Sequence, residues 1–141
     1  MKTLYTTQAT ASAGRNGQVE SDDKKLTLSL STPKEMGGTG EHTNPEQLFA
    51  AGYAACFASA TAHVANAMKI TLAQPPKTTA TVGIGPNDNQ GFSLTIALAV
   101  ELDLPQDEAV KLVAKAHQVC PYSNAVRNNI DVKISVNNQA I

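Results

Sequence analysis

The sequence predicts an α+β domain in which antiparallel strands lie beside two helices. Three observations carry this expectation. The nearly uncharged run from Gln47 to Met68 is long enough for one extended helix. Phe92, Leu94, Ile96, Leu98, Val100 and Leu102 give six consecutive matches to the two-residue period of a strand. Asn-Gly and Pro-Asn-Asp-Asn segments mark tight reversals between strands, not the long crossovers of a parallel βαβ fold.

Taken in order, Leu4 to Thr10 and Gln18 to Ser21 read as two short strands joined around Gly14-Arg15-Asn16-Gly17. Asn-Gly is a strong hairpin signal because both residues accept positive φ. Leu26, Leu28 and Leu30 alternate with Thr27 and Ser29 in a third, half-buried strand. The glycine-containing loop from Pro33 to Thr43 is expected to be mobile. Asn44 caps the long helix, with Pro45 at its first position and Gln47 placed for a capping-box contact. That helix is expected to run to about Lys69, before Pro75-Pro76. Ala80, Val82 and Ile84 alternate ahead of the turn at Pro86-Asn87-Asp88-Asn89, and the strand from Phe92 follows. Gln106 to Val119 is helical: Val110, Val113, His117 and Cys120 recur at three- and four-residue steps, with Asp107 and Glu108 in the first turn. Ile130, Val132, Ile134 and Val136 make a last strand.

Length and charge narrow the function. At 141 residues the chain is sized for a single domain spanning 1–141, burying about two-thirds of its unfolded surface. A net charge of −1 with 16% charged residues leaves no basic stripe, which argues against nucleic acid or an anionic membrane as partner. The segment Met1-Lys2-Thr3-Leu4-Tyr5-Thr6-Thr7 lacks the apolar stretch of a signal peptide. Gln47, Ser59, Thr61, His63 and Asn66 make the long run too polar for a good membrane span. A buried central helix is the better reading, and the expected compartment is the reducing cytoplasm. There a structural disulfide is rare, and a cysteine pair is more often redox or catalytic.

The chemistry centres on the two cysteines, Cys56 and Cys120. The helical neighbours of Cys56 are Gly52, Tyr53, Ser59 and Ala60, mostly small, which leaves open space over the sulfur. A free thiol is only a few per cent ionised near pH 7, so a nucleophilic Cys56 needs its pKa lowered. It lies about three turns into its helix, where the dipole has faded. A cation is required, and the chain has two arginines, Arg15 and Arg127. Arg15 flanks a tight turn that can project its guanidinium, or it is a solvated turn-tip charge. Glu46 is favoured near a helix start by the dipole alone. At about 1.5 Å per residue it lies about 15 Å along the helix from Cys56. If Glu46 serves the thiol, a second chain or a long cation bridges that distance. Cys120 is either a small apolar residue at a helix end stopped by Pro121, or a thiol placed to move. Leu48, Phe49, Phe57 and Met36 are candidates for an apolar pocket, or ordinary core.

Asn44 to Phe57 (NPEQLFAAGYAACF) and Val119 to Val132 (VCPYSNAVRNNIDV), with Gly14-Arg15-Asn16-Gly17 before them and Val82-Gly83-Ile84-Gly85-Pro86 between, resemble the organic hydroperoxide resistance (Ohr) proteins of the OsmC-like family. The resemblance extends over essentially the whole chain, and Cys-Pro-Tyr-Ser favours the Ohr branch. Asn16 stands where that branch usually has Asp, and Val126 where it has Thr. The resemblance implies an intertwined homodimer with antiparallel sheets around a long central helix. It implies a thiol peroxidase that reduces organic and fatty-acid hydroperoxides to alcohols. Cys56 would attack the peroxide, Cys120 would resolve the sulfenic acid into a disulfide, and Arg15 and Glu46 would organise the site. It further implies a lipoyl dithiol as external reductant, dihydrolipoamide or a lipoylated protein, with no bound cofactor, metal or haem.

Two other classes compete. A cysteine hydrolase needs a histidine base, yet His63 lies about 10 Å along the helix from Cys56, and His42 and His117 are unplaced. A zinc module needs clustered ligands, which two distant cysteines and three scattered histidines do not supply.

Overall fold

A computed structural model describes all 141 residues. The chain forms two compact units, Met1–Leu48 and Phe49–Ile141.

The first unit is built on a three-stranded antiparallel sheet, β1 (Ala9–Ser12), β2 (Gln18–Ser21) and β3 (Thr27–Ser29), in that spatial order. β1 starts later than the strand read from Leu4 to Thr10. Its partner β2 is only four residues long and pairs Ser21 with Ala9, after which the chain turns at Asp22. Residues before Gln8 therefore have no strand to pair with, and Leu4 and Tyr5 are exposed. The reversal after β1 also differs from the expected Asn-Gly turn. Ala13 (φ 57°) and Gly14 (φ 54°) take the left-handed conformations, while Gly14–Asn16 forms a turn of 3₁₀ helix. Gly17 is required by close approach instead: a Cβ there would lie 1.8 Å from the Ser12 carbonyl oxygen.

The segment from Pro33 to Thr43 is pinned rather than an open loop. Lys34–Met36 forms a 3₁₀ turn, the Gly40 N–H donates to the Thr32 carbonyl (3.0 Å), and the Ser31 N–H donates to Thr43 (2.9 Å). The long helix α1 (Pro45–Ala67) starts in this unit and continues into the second. Asn44 caps it as expected, its Oδ1 accepting the Gln47 N–H at 2.9 Å. Gln47 does not complete a capping box, because its Oε1 accepts the Thr43 hydroxyl at 2.8 Å.

The second unit packs the helices with a four-stranded sheet in the order β4 (Lys77–Pro86), β5 (Phe92–Glu101), β6 (Val132–Val136), β7 (Gln139–Ala140). β4 and β5 form the predicted hairpin, in register from Lys77↔Glu101 to Pro86↔Phe92. β6 runs parallel to β5, because α2 (Gln106–Val119) and α3 (Pro121–Val126) carry the chain back before it enters the sheet. The strand period in β5 holds in its C-terminal half: Ile96, Leu98 and Val100 are buried, whereas Phe92 at the hairpin end is exposed.

α1 is long and apolar enough to cross a membrane by length and composition. Tyr53, Phe57, Ala60, Val64 and Ala65 of this helix join the core of the unit. α2 buries Ala109, Leu112, Val113 and Ala116, so its core face is centred beside, not on, the Val110–His117 line read from the sequence. Tyr53, Phe57, Leu98 and Leu112 are the largest fully buried side chains, and burying a Leu or Phe is worth about 1.5–3 kcal/mol relative to exposure. Pro121 does more than stop α2. It is the first residue of α3, where its missing N–H costs nothing. The architecture is α+β with sheets and a long helix, as the sequence predicts.

Candidate active site

The four residues singled out in the sequence fall into two pairs, one in each unit. In the first unit, the 3₁₀ turn after β1 presents Arg15 to Glu46, the second residue of α1. The contact is two-pronged: Nη1 donates to Oε2 at 2.7 Å and Nη2 to Oε1 at 2.5 Å. Such a planar match fixes the guanidinium in orientation as well as position. Arg15 holds the Glu46 carboxyl below the usual carboxylate range, and Glu46 in turn raises Arg15. The turn is anchored by Asn16, whose Oδ1 accepts both the N–H (3.0 Å) and the hydroxyl (3.1 Å) of Thr32. The sequence offers only a weak signal for this role, an asparagine next to a candidate arginine in a turn.

In the second unit, Cys56 on α1 and Cys120 at the α2–α3 corner are both free thiols with their sulfurs 3.7 Å apart. Cys56 is half-buried and Cys120 fully buried. Sixty-four residues of separation are closed because α2 returns the chain onto α1, which no local sequence pattern reveals. Cys120 is also a cap residue between two helices. Its N–H donates to Ala116 (2.9 Å) and its carbonyl accepts from Asn124 (3.0 Å). It is therefore held in the core and is not on a frayed helix end.

The expected low pKa of Cys56 does not arise within this unit. Burial pushes the thiol up, the Tyr122 backbone N–H pulls it down, and the adjacent Cys120 pushes it up again. Desolvation disfavours the thiolate, and one N–H does not offset it. A guanidinium would reverse the balance, and the hydrogen bonds of Arg15 go to Glu46.

Cys56 opens into a cavity of about 340 Å³ lined by Ser59, Ala60, His63, Val119 and Pro121. Ser59 and Ala60 provide the open space expected from their size. Gly52 does not: the Tyr122 ring occupies its face, and a Cβ there would lie 2.8 Å from the Tyr122 hydroxyl oxygen. The predicted apolar lining also shifts. Phe57 is core, Phe49 packs between Tyr53 and Tyr122, and Met36 lies in the 3₁₀ turn of the first unit. A larger cavity of about 630 Å³, near Lys77, Glu101 and Asn137, is lined by no cysteine.

The histidines do not form a cysteine–base pair. His63 lines the cavity without a hydrogen bond to Cys56, His42 is tied through its backbone to Ser31, and His117 Nδ1 is 3.0 Å from Ser123 Oγ. Burial, then the charge of Arg127, keeps the His117 pKa below its ordinary value. Nowhere do three His, Cys, Asp or Glu side chains converge.

The chain is similar to a group of known proteins. Residues 38–135 match the family model described as OsmC-like protein. The organic hydroperoxide resistance protein of Xanthomonas axonopodis pv. citri is 50% identical over 137 residues, covering 96% of each chain. A crystal structure of an organic hydroperoxide resistance protein from Legionella pneumophila is 57% identical, with a TM-score of 0.93 and coverage of 96% of this chain and 98% of its own. OhrB of Bacillus subtilis is 40% identical, with a TM-score of 0.85 and coverage of 95% and 99%. The chain belongs to the OsmC-like family, in its organic hydroperoxide resistance branch.

Proposed function

We propose that the protein is a cysteine-based peroxidase that reduces organic and fatty-acid hydroperoxides to alcohols. The observation that carries this is the pair of free thiols 3.7 Å apart, one opening into a cavity and the other fully buried. That arrangement suits a sequential reaction. The Cys56 thiolate attacks the outer peroxide oxygen, an S–O bond forms as the O–O bond breaks, and the alkoxide leaves with a proton as the alcohol. Sulfur is oxidised by two electrons to sulfenic acid. Cys120 then displaces the hydroxyl as water and closes a disulfide. An external lipoyl dithiol, dihydrolipoamide or a lipoylated protein, returns both thiols by exchange. No metal or bound cofactor takes part.

Arg15, oriented by Glu46, supplies the positive charge that stabilises the Cys56 thiolate and the departing alkoxide. The apolar share of the cavity lining favours alkyl hydroperoxides over hydrogen peroxide. A hydrolase using Cys56 gains no support, because no histidine is hydrogen-bonded to its sulfur. The decisive measurement is turnover with dihydrolipoamide as reductant. Cumene hydroperoxide is expected to be consumed much faster than hydrogen peroxide, and equal or absent consumption would overturn the proposal.

The working unit we propose is a homodimer in the reducing cytoplasm, with the charged pair and the thiol pair completing each site in the assembly. Light scattering should give about twice the 14.8 kDa chain mass. A fully active monomer would refute this.

A further inference from the structure

Between Cys120 and Arg127 the chain turns from α2 into α3, and this corner carries the second thiol. Three polar side chains that the proposed chemistry does not use hold it from inside. Ser123 is fully buried, one turn beyond Cys120. Its Oγ lies 2.9 Å from the hydroxyl of Tyr53 on α1 and 3.0 Å from Nδ1 of His117 in the last turn of α2. One hydroxyl therefore links all three helices. With His117 neutral and its proton on Nε2, Tyr53 donates to Ser123 and Ser123 donates to Nδ1, so each hydrogen is used. On the outside, Arg127 Nη2 donates to the His117 carbonyl (2.8 Å) and to Asn124 Oδ1 (2.9 Å).

Burying hydroxyls costs free energy unless they are paired, and apolar side chains could fill the same space. What such a chain adds to packing is a defined orientation. Cys120 caps α3 and Ser123 lies three residues on in that helix, so the hydrogen bonds of Ser123 to α1 and α2 hold the corner that carries the Cys120 sulfur.

We propose that the Tyr53–Ser123–His117 chain positions Cys120 for disulfide closure, with Ser123 as its pivot. This rests on the peroxidase reading above. In the step concerned, the Cys120 sulfur attacks the sulfenic sulfur of Cys56. The S–S bond forms as the S–O bond breaks, and the hydroxyl leaves as water with the proton of the Cys120 thiol. Both electrons come from Cys120, and no outside oxidant is needed. The competing reaction is a second peroxide converting the sulfenic acid to sulfinic acid. A small displacement of the corner leaves that competitor untouched and slows closure.

The test separates the two steps in wild type, Tyr53→Phe and Ser123→Ala. Stopped-flow consumption of the first equivalent of cumene hydroperoxide reads attack, and mass spectrometry after a fixed peroxide excess reads the ratio of sulfinic acid to disulfide. Ser123→Ala is expected to keep the first step within about threefold of wild type and raise the sulfinic ratio about tenfold or more. Tyr53→Phe, which preserves the Ser123–His117 contact, should fall between. A sulfinic ratio unchanged in Ser123→Ala overturns the proposal. So does an equal slowing of both steps, which would make the hydroxyls ordinary packing groups. If Ser123→Ala does not fold, Tyr53→Phe carries the test, and a wild-type ratio in it overturns the proposal. Wild type that consumes no peroxide or forms no disulfide overturns the peroxidase reading itself, an outcome distinct from these.

Discussion

Cys56→Ser is expected to consume no organic hydroperoxide, not even the first equivalent per chain. A serine hydroxyl is not ionised at neutral pH and cannot replace the thiolate as nucleophile. Cys120→Ser is expected to behave differently. It should reduce one equivalent at close to the wild-type rate and then stall, or pass to sulfinic acid under repeated exposure, because nothing condenses with the sulfenic acid. Wild type treated with a small excess of peroxide should contain a Cys56–Cys120 disulfide within each chain. The sulfurs are already 3.7 Å apart, so closure requires a local adjustment and not unfolding. Mass spectrometry of the oxidised protein decides the matter. Sulfinic acid at Cys56 beside a free Cys120 would assign Cys120 a purely structural role.

Replacing Arg15 should have the next largest effect. In Arg15→Ala the peroxidase rate is expected to fall by about 10²–10³, the usual loss when one preorganised charge-stabilising donor is removed. The same substitution should raise the Cys56 pKa, read from the pH dependence of alkylation in a Cys120→Ser background. In the proposed dimer with the arginine present, the value should lie below that of a free cysteine, about 8.5. Without it, burial should dominate and the value should rise above that level. Arg15→Lys should rescue incompletely, since an ammonium lacks the planar fork that meets both Glu46 oxygens. Lys24 and Lys25 lie in the exposed turn after β2, and their replacement should leave the rate near wild type. An Arg15→Lys rate equal to wild type, or a Cys56 pKa insensitive to Arg15, would remove the guanidinium from the mechanism.

Patterns that depend on neighbouring residues were legible in the chain. The Asn44 cap, the start of α1 at Pro45, the β4–β5 hairpin and the extent of α2 follow from capping chemistry and residue period, and the structure has each of them. The segments around the two cysteines, Arg15 and Glu46 pointed to the family, and the comparisons agree. Expectations failed where a distant partner decides the outcome. Leu4 to Gln8 reads as the start of a strand but has no strand opposite it. Asn16 and Gly17 look like a hairpin turn, yet the positive φ angles fall on Ala13 and Gly14 while Asn16 anchors Thr32. α3 was hidden because a proline after a helix signals an end and equally a first position.

The residue types alone determined which chemistry is available: two thiols, two arginines and no metal-ligand spacing. Tertiary structure decided which groups meet. It set the Cys56–Cys120 approach, the two-pronged hold of Glu46 on Arg15, and the burial that raises the Cys56 thiol. The physical reason is one of range. Helix and strand preferences act over a few residues, whereas a thiol's ionisation and its partner depend on groups brought close by folding, here from 64 residues away.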